Sequence, residues 1–204
     1  MEGGTGAGAA LLCLAARVPG LAGLGLDREP GLIGLARANA LANGWPDLCF
    51  AVADLRASPL GGAWSGRVDH AFANPPYHRA GGTASPDAAR EAAKRAEQGV
   101  LRWWADALVR PLRHRGTATF ILAPWMLEEA LAALRAAGAP AEAVFPIWPK
   151  AGRPARFAIV RGRKNGRSPL SIGPGLILHT ESGAYRPEAE AVLRGGEALR
   201  LDAG

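Results

Sequence analysis

Apolar and polar positions along this chain follow two periods. Leu48, Phe50 and Val52 recur every second residue, the mark of a half-buried strand, and predict a strand over 47–53. Shorter apolar runs predict strands over 21–26, 67–73, 117–122, 142–148, 156–161 and 176–179. Alanine- and leucine-rich stretches between them predict helices over 9–18, 29–42, 125–137 and 187–194. Ser85-Pro86-Asp87 joins a capping residue to a proline at the first helical position. A helix is therefore expected from there to 112, broken or kinked near Gly99.

This alternation implies an α/β fold: a Rossmann-like, doubly wound, mostly parallel sheet with helices on both faces and an antiparallel strand near the C-terminus. Ligands of such sheets bind beyond the carboxyl ends of the strands. The 204 residues suit one domain. Its stretches are a donor-binding half (1–78), a second half with a basic segment (79–167) and a C-terminal extension (168–204).

A hydrophobic fraction of 49% with 21% charged residues excludes disorder for most of the chain. The apolar stretch over 3–16 falls short of the about 20 residues a membrane span needs. Glu2 stands where a secretory signal would carry positive charge. A cytoplasmic protein with no membrane partner is expected. Cys13 and Cys49 form no CxxC and have no histidine cluster nearby, so no metal site is expected and both read as buried free thiols.

The net charge of +6 is unevenly spread. Residues 143–180 contain Lys150, Arg153, Arg156, Arg161, Arg163, Lys164 and Arg167 and no acidic residue. Such a segment is the electrostatic footprint expected of a nucleic-acid partner, with Lys150, Arg153, Arg156 and Lys164 as candidate RNA contacts.

Four motifs carry chemistry. Gly4-Thr5-Gly6-Ala7-Gly8 precedes a helix, where glycines let the backbone turn tightly and approach a ligand. No Lys follows in the phosphate-gripping arrangement. Asp27 ends the next strand, 19 residues after Gly8, where doubly wound folds hold an acid for a ribose. Asp54, with Leu55 beside it, ends the strand after that and can accept from an adenine amine. Asn74-Pro75-Pro76-Tyr77 directly follows the strand over 67–73.

The last motif suits a specific problem. An amine conjugated to a ring or a carbonyl is a poor nucleophile because its lone pair is delocalised. Two acceptors on its N–H groups, the Asn74 side-chain oxygen and the Pro75 carbonyl, favour the charge that develops on nitrogen. Consecutive prolines fix the backbone and remove donors. The Tyr77 ring offers a face for an unpaired base.

In this order the motifs resemble class I S-adenosylmethionine-dependent methyltransferases that act on amines. More closely, the chain resembles the bacterial valine-tRNA adenine N6-methyltransferase family. The resemblance runs through residues 74–90 (NPPYHRAGGTASPDAAR), 163–170 (RKNGRSPL) and 173–194 (GPGLILHTESGAYRPEAEAVLR). It implies S-adenosylmethionine as the cofactor, held by Gly4, Gly6 and Gly8 at its methionine part, Asp27 at its ribose and Asp54 at its adenine. It also implies that Asn74, Pro75, Pro76 and Tyr77 hold the target amine of a tRNA.

Other readings remain open. A protein glutamine amide poses the same chemical problem, as in release-factor methyltransferases, and so does a guanine amine in ribosomal RNA. A nicotinamide-dependent dehydrogenase would explain the glycine loop alone, and an inactive remnant would explain a short start. Smaller expectations concern His78 and the loop over 79–85 at the site mouth, and Arg90, Lys94 and Arg95 as phosphate contacts. Trp103, Trp104, Trp125 and Trp148 read as core or interface aromatics.

The family's glycine loop follows a full strand ending in an acid, with a bulky apolar residue before the first glycine. Here Glu2 fits the acid, Gly3 replaces the bulky residue, and too few residues remain for a strand. The central strand is therefore expected to be missing, the chain to start too late, and the protein to be poorly stable with weak donor binding.

Overall fold

The computed structural model describes residues 1–56, 64–76 and 99–201. Five parallel strands form its first half: β1 (Glu2–Gly3), β2 (Leu24–Asp27), β3 (Cys49–Val52), β4 (Val68–Ala73) and β5 (Leu112–Leu122). Two more strands follow, β6 (Ala141–Trp148) and β7 (Phe157–Arg163). The order across the sheet is β3-β2-β1-β4-β5-β7-β6. β7 runs antiparallel to both neighbours, as expected of one strand near the C-terminus. Two short strands, β8 (Ser171–Ile172) and β9 (Leu176–Ile177), pair in parallel with successive parts of β6.

The central strand is present, contrary to the sequence reading. β1 has only two residues, yet Glu2 and Gly3 pair with Gly25 and Leu26 on one side and with Phe72 and Ala73 on the other. The Phe72 N–H donates to the Met1 carbonyl at 2.9 Å, and the Thr5 N–H donates to the Leu26 carbonyl at 2.9 Å. The backbone groups of β2 and β4 expected to lie unpaired at this level are thus met. Gly3 has its own reason to lack a side chain. A Cβ there would come within 3.1 Å of Leu108 and Leu55 and 3.3 Å of Trp104, which already fill that volume.

Helices cover both faces. On one side lie α1 (Ala9–Ala15) and α2 (Pro30–Ala42), whose Leu11, Ile33, Ala36 and Ala40 meet Leu48 and Phe50. On the other, α3 (Val100–Val109) and α4 (Leu127–Ala136) bury Leu101, Leu108, Ala130 and Leu134 against Leu26, Phe120 and Leu122. Fully burying each such large side chain contributes about 1.5–3 kcal/mol. β2 serves both layers by alternating residue size. Leu24 and Leu26 point to the α3 side, while on the opposite side Gly25 leaves room for Phe50.

Three expectations are corrected. The helix ends at Val109, not 112: Pro111 cannot continue it, and Leu112 already opens β5. Cys13 and Cys49 are exposed, because Cys13 lies on the outer side of α1 and Cys49 on the edge strand β3. The last helix, α5 (Pro187–Leu193), starts as expected but stops one residue sooner. The helix foreseen from Ser85 lies mostly outside the described residues, as do Tyr77, His78, the loop over 79–85, Arg90, Lys94 and Arg95.

Candidate active site

The parallel strands all end at one edge, which gathers motifs that are far apart in sequence. Gly4 follows β1, Asp27 ends β2, Asp54 follows β3 and Asn74 follows β4. Gly4, Asp27, Asp54, Leu55, Asn74 and Pro76 line one cavity of about 430 Å³. That volume suits a ligand of cofactor size. Of the other motif residues, Gly6 and Gly8 shape the loop behind the cavity, and Pro75 is fully buried between exposed Asn74 and Pro76.

The glycine loop is held from beneath and from the side. Gly4, Gly6 and Gly8 all have positive φ, at 67°, 54° and 87°, a region that favours glycine. A Cβ on Gly4 would lie 2.6 Å from the Trp104 ring, so the loop backs directly onto that ring. From below, the buried Glu2 carboxylate accepts the Thr5 hydroxyl at 2.6 Å and the Leu11 N–H at 3.2 Å. Burial pushes the Glu2 carboxyl above its usual range, against the pull of the Thr5 and Leu11 hydrogen bonds. From the side, Asp27 Oδ2 accepts the Gly6 N–H at 2.9 Å.

Asp54 Oδ1 accepts the Arg56 N–H at 2.9 Å, which closes a tight turn after β3. The Arg56 guanidinium stands over the Trp103 ring, 5.5 Å from its centre. These residues fit the donor that the motifs imply. Gly6 faces open space, and two carboxylates on successive strands face the cavity with acceptor capacity left over.

The site also contains residues the sequence reading did not assign to it. Trp104, Trp125, Met126 and Glu129 line the same cavity. Trp125 sits on the single 3-10 turn after β5, Pro124–Met126, and is 47% exposed. It was expected in a core or interface. A large aromatic three residues after a strand that ends at the ligand edge is the available signal. Glu129 Oε1 accepts the N–H groups of Gly99 and Leu101, both at 3.2 Å. It thereby caps α3, whose own N-cap, Gly99, has no side chain to do so.

The basic segment is divided between the two ends of the sheet. The β6–β7 connection brings Lys150, Arg153 and Arg156 to the carboxyl edge, the edge of the cavity. Lys150 Nζ donates to the Glu181 carbonyl at 2.7 Å, while Arg153 and Arg156 are exposed. Lys164 lies at the opposite edge, where its Nζ donates to the carbonyls of Arg110 and Leu112 at 2.9 and 2.7 Å. Burial pulls the Lys164 ammonium below its usual range. Arg161 and Arg163 hold Glu142 at 2.9 and 2.6 Å. Burial alone would raise the Glu142 carboxyl, but these two guanidiniums outweigh it and hold it low.

Among the described residues, no group of His, Cys, Asp and Glu could hold a metal, and no helix is long and apolar enough to cross a membrane.

The chain has the fold of S-adenosylmethionine-dependent methyltransferases. It superposes on a predicted O-methyltransferase from Agrobacterium tumefaciens with a TM-score of 0.78 at 22% identity, covering 97% of this chain and 89% of that one. A TehB-like SAM-dependent methyltransferase from Corynebacterium glutamicum matches with a TM-score of 0.56 at 19% identity, over 80% and 78% of the two chains. In sequence, 75 residues are 44% identical to the release factor glutamine methyltransferase of Rhodospirillum rubrum. That stretch is 36% of this chain and spans 22% of that relative's length. No protein-family model matches the chain. These neighbours share the fold expected from the motifs.

Proposed function

We propose that this protein transfers a methyl group from S-adenosylmethionine to the N6 amine of an adenine in structured RNA, with tRNA as the best-fitting acceptor. One observation carries the reading: exposed Asn74 and Pro76, directly after β4, line the same cavity as Gly4, Asp27 and Asp54. Groups suited to an amine and groups suited to the donor therefore share one chamber.

The donor, when bound, supplies an electrophilic methyl carbon on a sulfonium. Gly4, Gly6 and Gly8 bring backbone close to its methionine part, Asp27 accepts from ribose hydroxyls, and Asp54 accepts from the adenine amine beside Leu55. Asn74 and the Pro75 carbonyl accept the two N–H groups of the target amine. They stabilise the positive charge that develops on nitrogen as the N–C bond forms and the C–S bond breaks. The proton then leaves to water. The gain is alignment plus fixed dipoles at the reacting nitrogen. Tyr77 would stack on the base.

RNA is favoured over a protein acceptor by Arg153 and Arg156, exposed cations on the edge where the cavity opens. The second reading, methylation of a glutamine amide, is favoured by the 75-residue match to a release factor glutamine methyltransferase. The deciding experiment incubates the protein with labelled S-adenosylmethionine and either total tRNA or release factors, followed by nucleoside and amino-acid analysis. N6-methyladenosine in tRNA supports the first reading. Label in methylglutamine from the release factors, or in N2-methylguanosine instead of N6-methyladenosine in the RNA, replaces it.

A further inference from the structure

At the sheet edge opposite the cavity, β5 and the turn after β7 build a second concave surface. Leu112 pairs with Val68 but Thr117 pairs with His70, so residues 113–116 bulge out of the ladder. Arg115 lies in that bulge at φ 65°, a left-handed conformation that side chains other than glycine avoid. Both of its peptide groups are tied down. Its N–H donates to the Lys164 carbonyl at 3.2 Å, and its carbonyl accepts from Arg163 Nη1 at 2.9 Å. Facing it, Asn165 is also left-handed at φ 57°, and its amide nitrogen lies 3.2 Å from His114 Nδ1. His114, Arg115, Asn165, Gly166 and Arg167 line an open groove of about 580 Å³.

Among the described residues, no carboxylate lines this groove. The acids on the adjoining strands are already engaged, Asp69 with Arg113 at 2.6 Å and Glu142 with Arg161 and Arg163. Lys164 adds a further positive charge behind the turn, fixed on two backbone carbonyls. Two guanidiniums, an imidazole and a carboxamide thus converge with no counter-charge among the described residues, around a strained residue that is strapped in place. Guanidiniums match phosphate geometry with paired hydrogen bonds, and strained backbone gathers where a ligand is held.

We propose that this groove binds a phosphodiester of the same RNA whose base enters the cavity, an inference that rests on the RNA reading above. The two sites lie at opposite ends of β5. The five steps from Thr117 to Leu122, at about 3.3 Å each, alone separate them by about 17 Å. A free nucleotide cannot reach both, and a polynucleotide can. The groove therefore makes the protein select structured RNA over mononucleotides.

The test measures binding of total tRNA to the 204-residue protein across salt concentrations. The double variant Arg115→Gln, Arg167→Gln touches no residue of the cavity. Each neutralised phosphate contributes about 0.7 to the log–log salt slope on single-stranded RNA, so losing this one phosphodiester contact should lower the slope by about 0.7, with S-adenosylmethionine affinity unchanged. Arg115→Gly is the companion, since it removes the charge while relieving the left-handed backbone. It should lower the slope by up to about 0.7 and keep or raise the melting temperature. A folded variant with the wild-type slope overturns the groove and leaves the RNA reading standing. A wild-type protein that binds tRNA with no salt dependence overturns both.

Discussion

The Asp27 carboxylate joins two loops of the site. Its Oδ2 accepts the Gly6 N–H at 2.9 Å and its Oδ1 accepts the Glu29 N–H at 3.0 Å. A carboxylate offers about four acceptor directions, so both oxygens keep capacity for a ribose. Asp27→Ala removes the loop tie and, on the proposed function, the ribose contact with it. A charge-assisted hydrogen bond is worth about 1.5–3 kcal/mol, so calorimetry should record roughly ten- to hundredfold weaker S-adenosylmethionine binding. Unaltered affinity would take Asp27 out of the donor site.

Asn74→Ala should act on the other half of the reaction. On the proposed function it removes an acceptor for the target amine and leaves the donor's partners in place. Turnover in a labelled-methyl assay should fall below a tenth of wild type while donor affinity stays within a few-fold. A variant that keeps more than a tenth of its turnover contradicts the role.

Arg153 and Arg156 stand exposed at the cavity edge. Replacing both with Gln should flatten the salt slope of tRNA binding by about 1.4, at about 0.7 per contact. A slope equal to wild type would make them solvated surface charges.

The buried Glu2 and the half-buried Glu142 should give opposite pH signatures. Glu142 is held low by Arg163 and Arg161 against its burial. Its stabilisation is therefore full above the ordinary value of 4.5 and is lost as pH falls through the depressed value. Glu142→Gln should cost about 1.5–3 kcal/mol near neutrality, with the gap narrowing in acid. Glu2 is raised by burial, so its contribution is full below 4.5 and fades as pH rises through the raised value. Glu2→Gln should therefore gain on wild type as pH rises. Melting temperatures from pH 3 to 8 test both signs, and parallel curves for wild type and either variant would refute the corresponding assignment.

Gly25→Ala tests the close approach of β2 to the second layer. The new Cβ would lie 2.6 Å from the Phe50 ring and 2.8 Å from Thr5 Oγ1. Overpacking of this kind costs about 1–3 kcal/mol. Because Thr5 is tied to Glu2 under the glycine loop, donor affinity should fall along with the melting temperature. An unchanged melting temperature would mean that Phe50 moves aside freely.

The sequence alone determined what contiguous residues encode. The period-two run at Leu48, Phe50 and Val52 marks β3, and the alternation of strands with helices implies the parallel sheet. Each motif ends a strand or opens a helix, so Gly4, Asp27, Asp54 and Asn74 could be assigned to one edge without coordinates. Tertiary structure decided whatever depends on partners distant in the chain. A two-residue strand has no period, and β1 exists only because β2 and β4 both pair with it. The cap of α3 comes from Glu129, 28 residues beyond Leu101, where no local signal points to it. Trp125 reaches the cavity because of where β5 ends. The basic segment reads as one stretch of charge, but β7 runs antiparallel and carries its two ends to opposite edges of the sheet. Local patterning is set by each residue's own backbone and its nearest neighbours. These four features are set by contacts made only once the sheet has assembled.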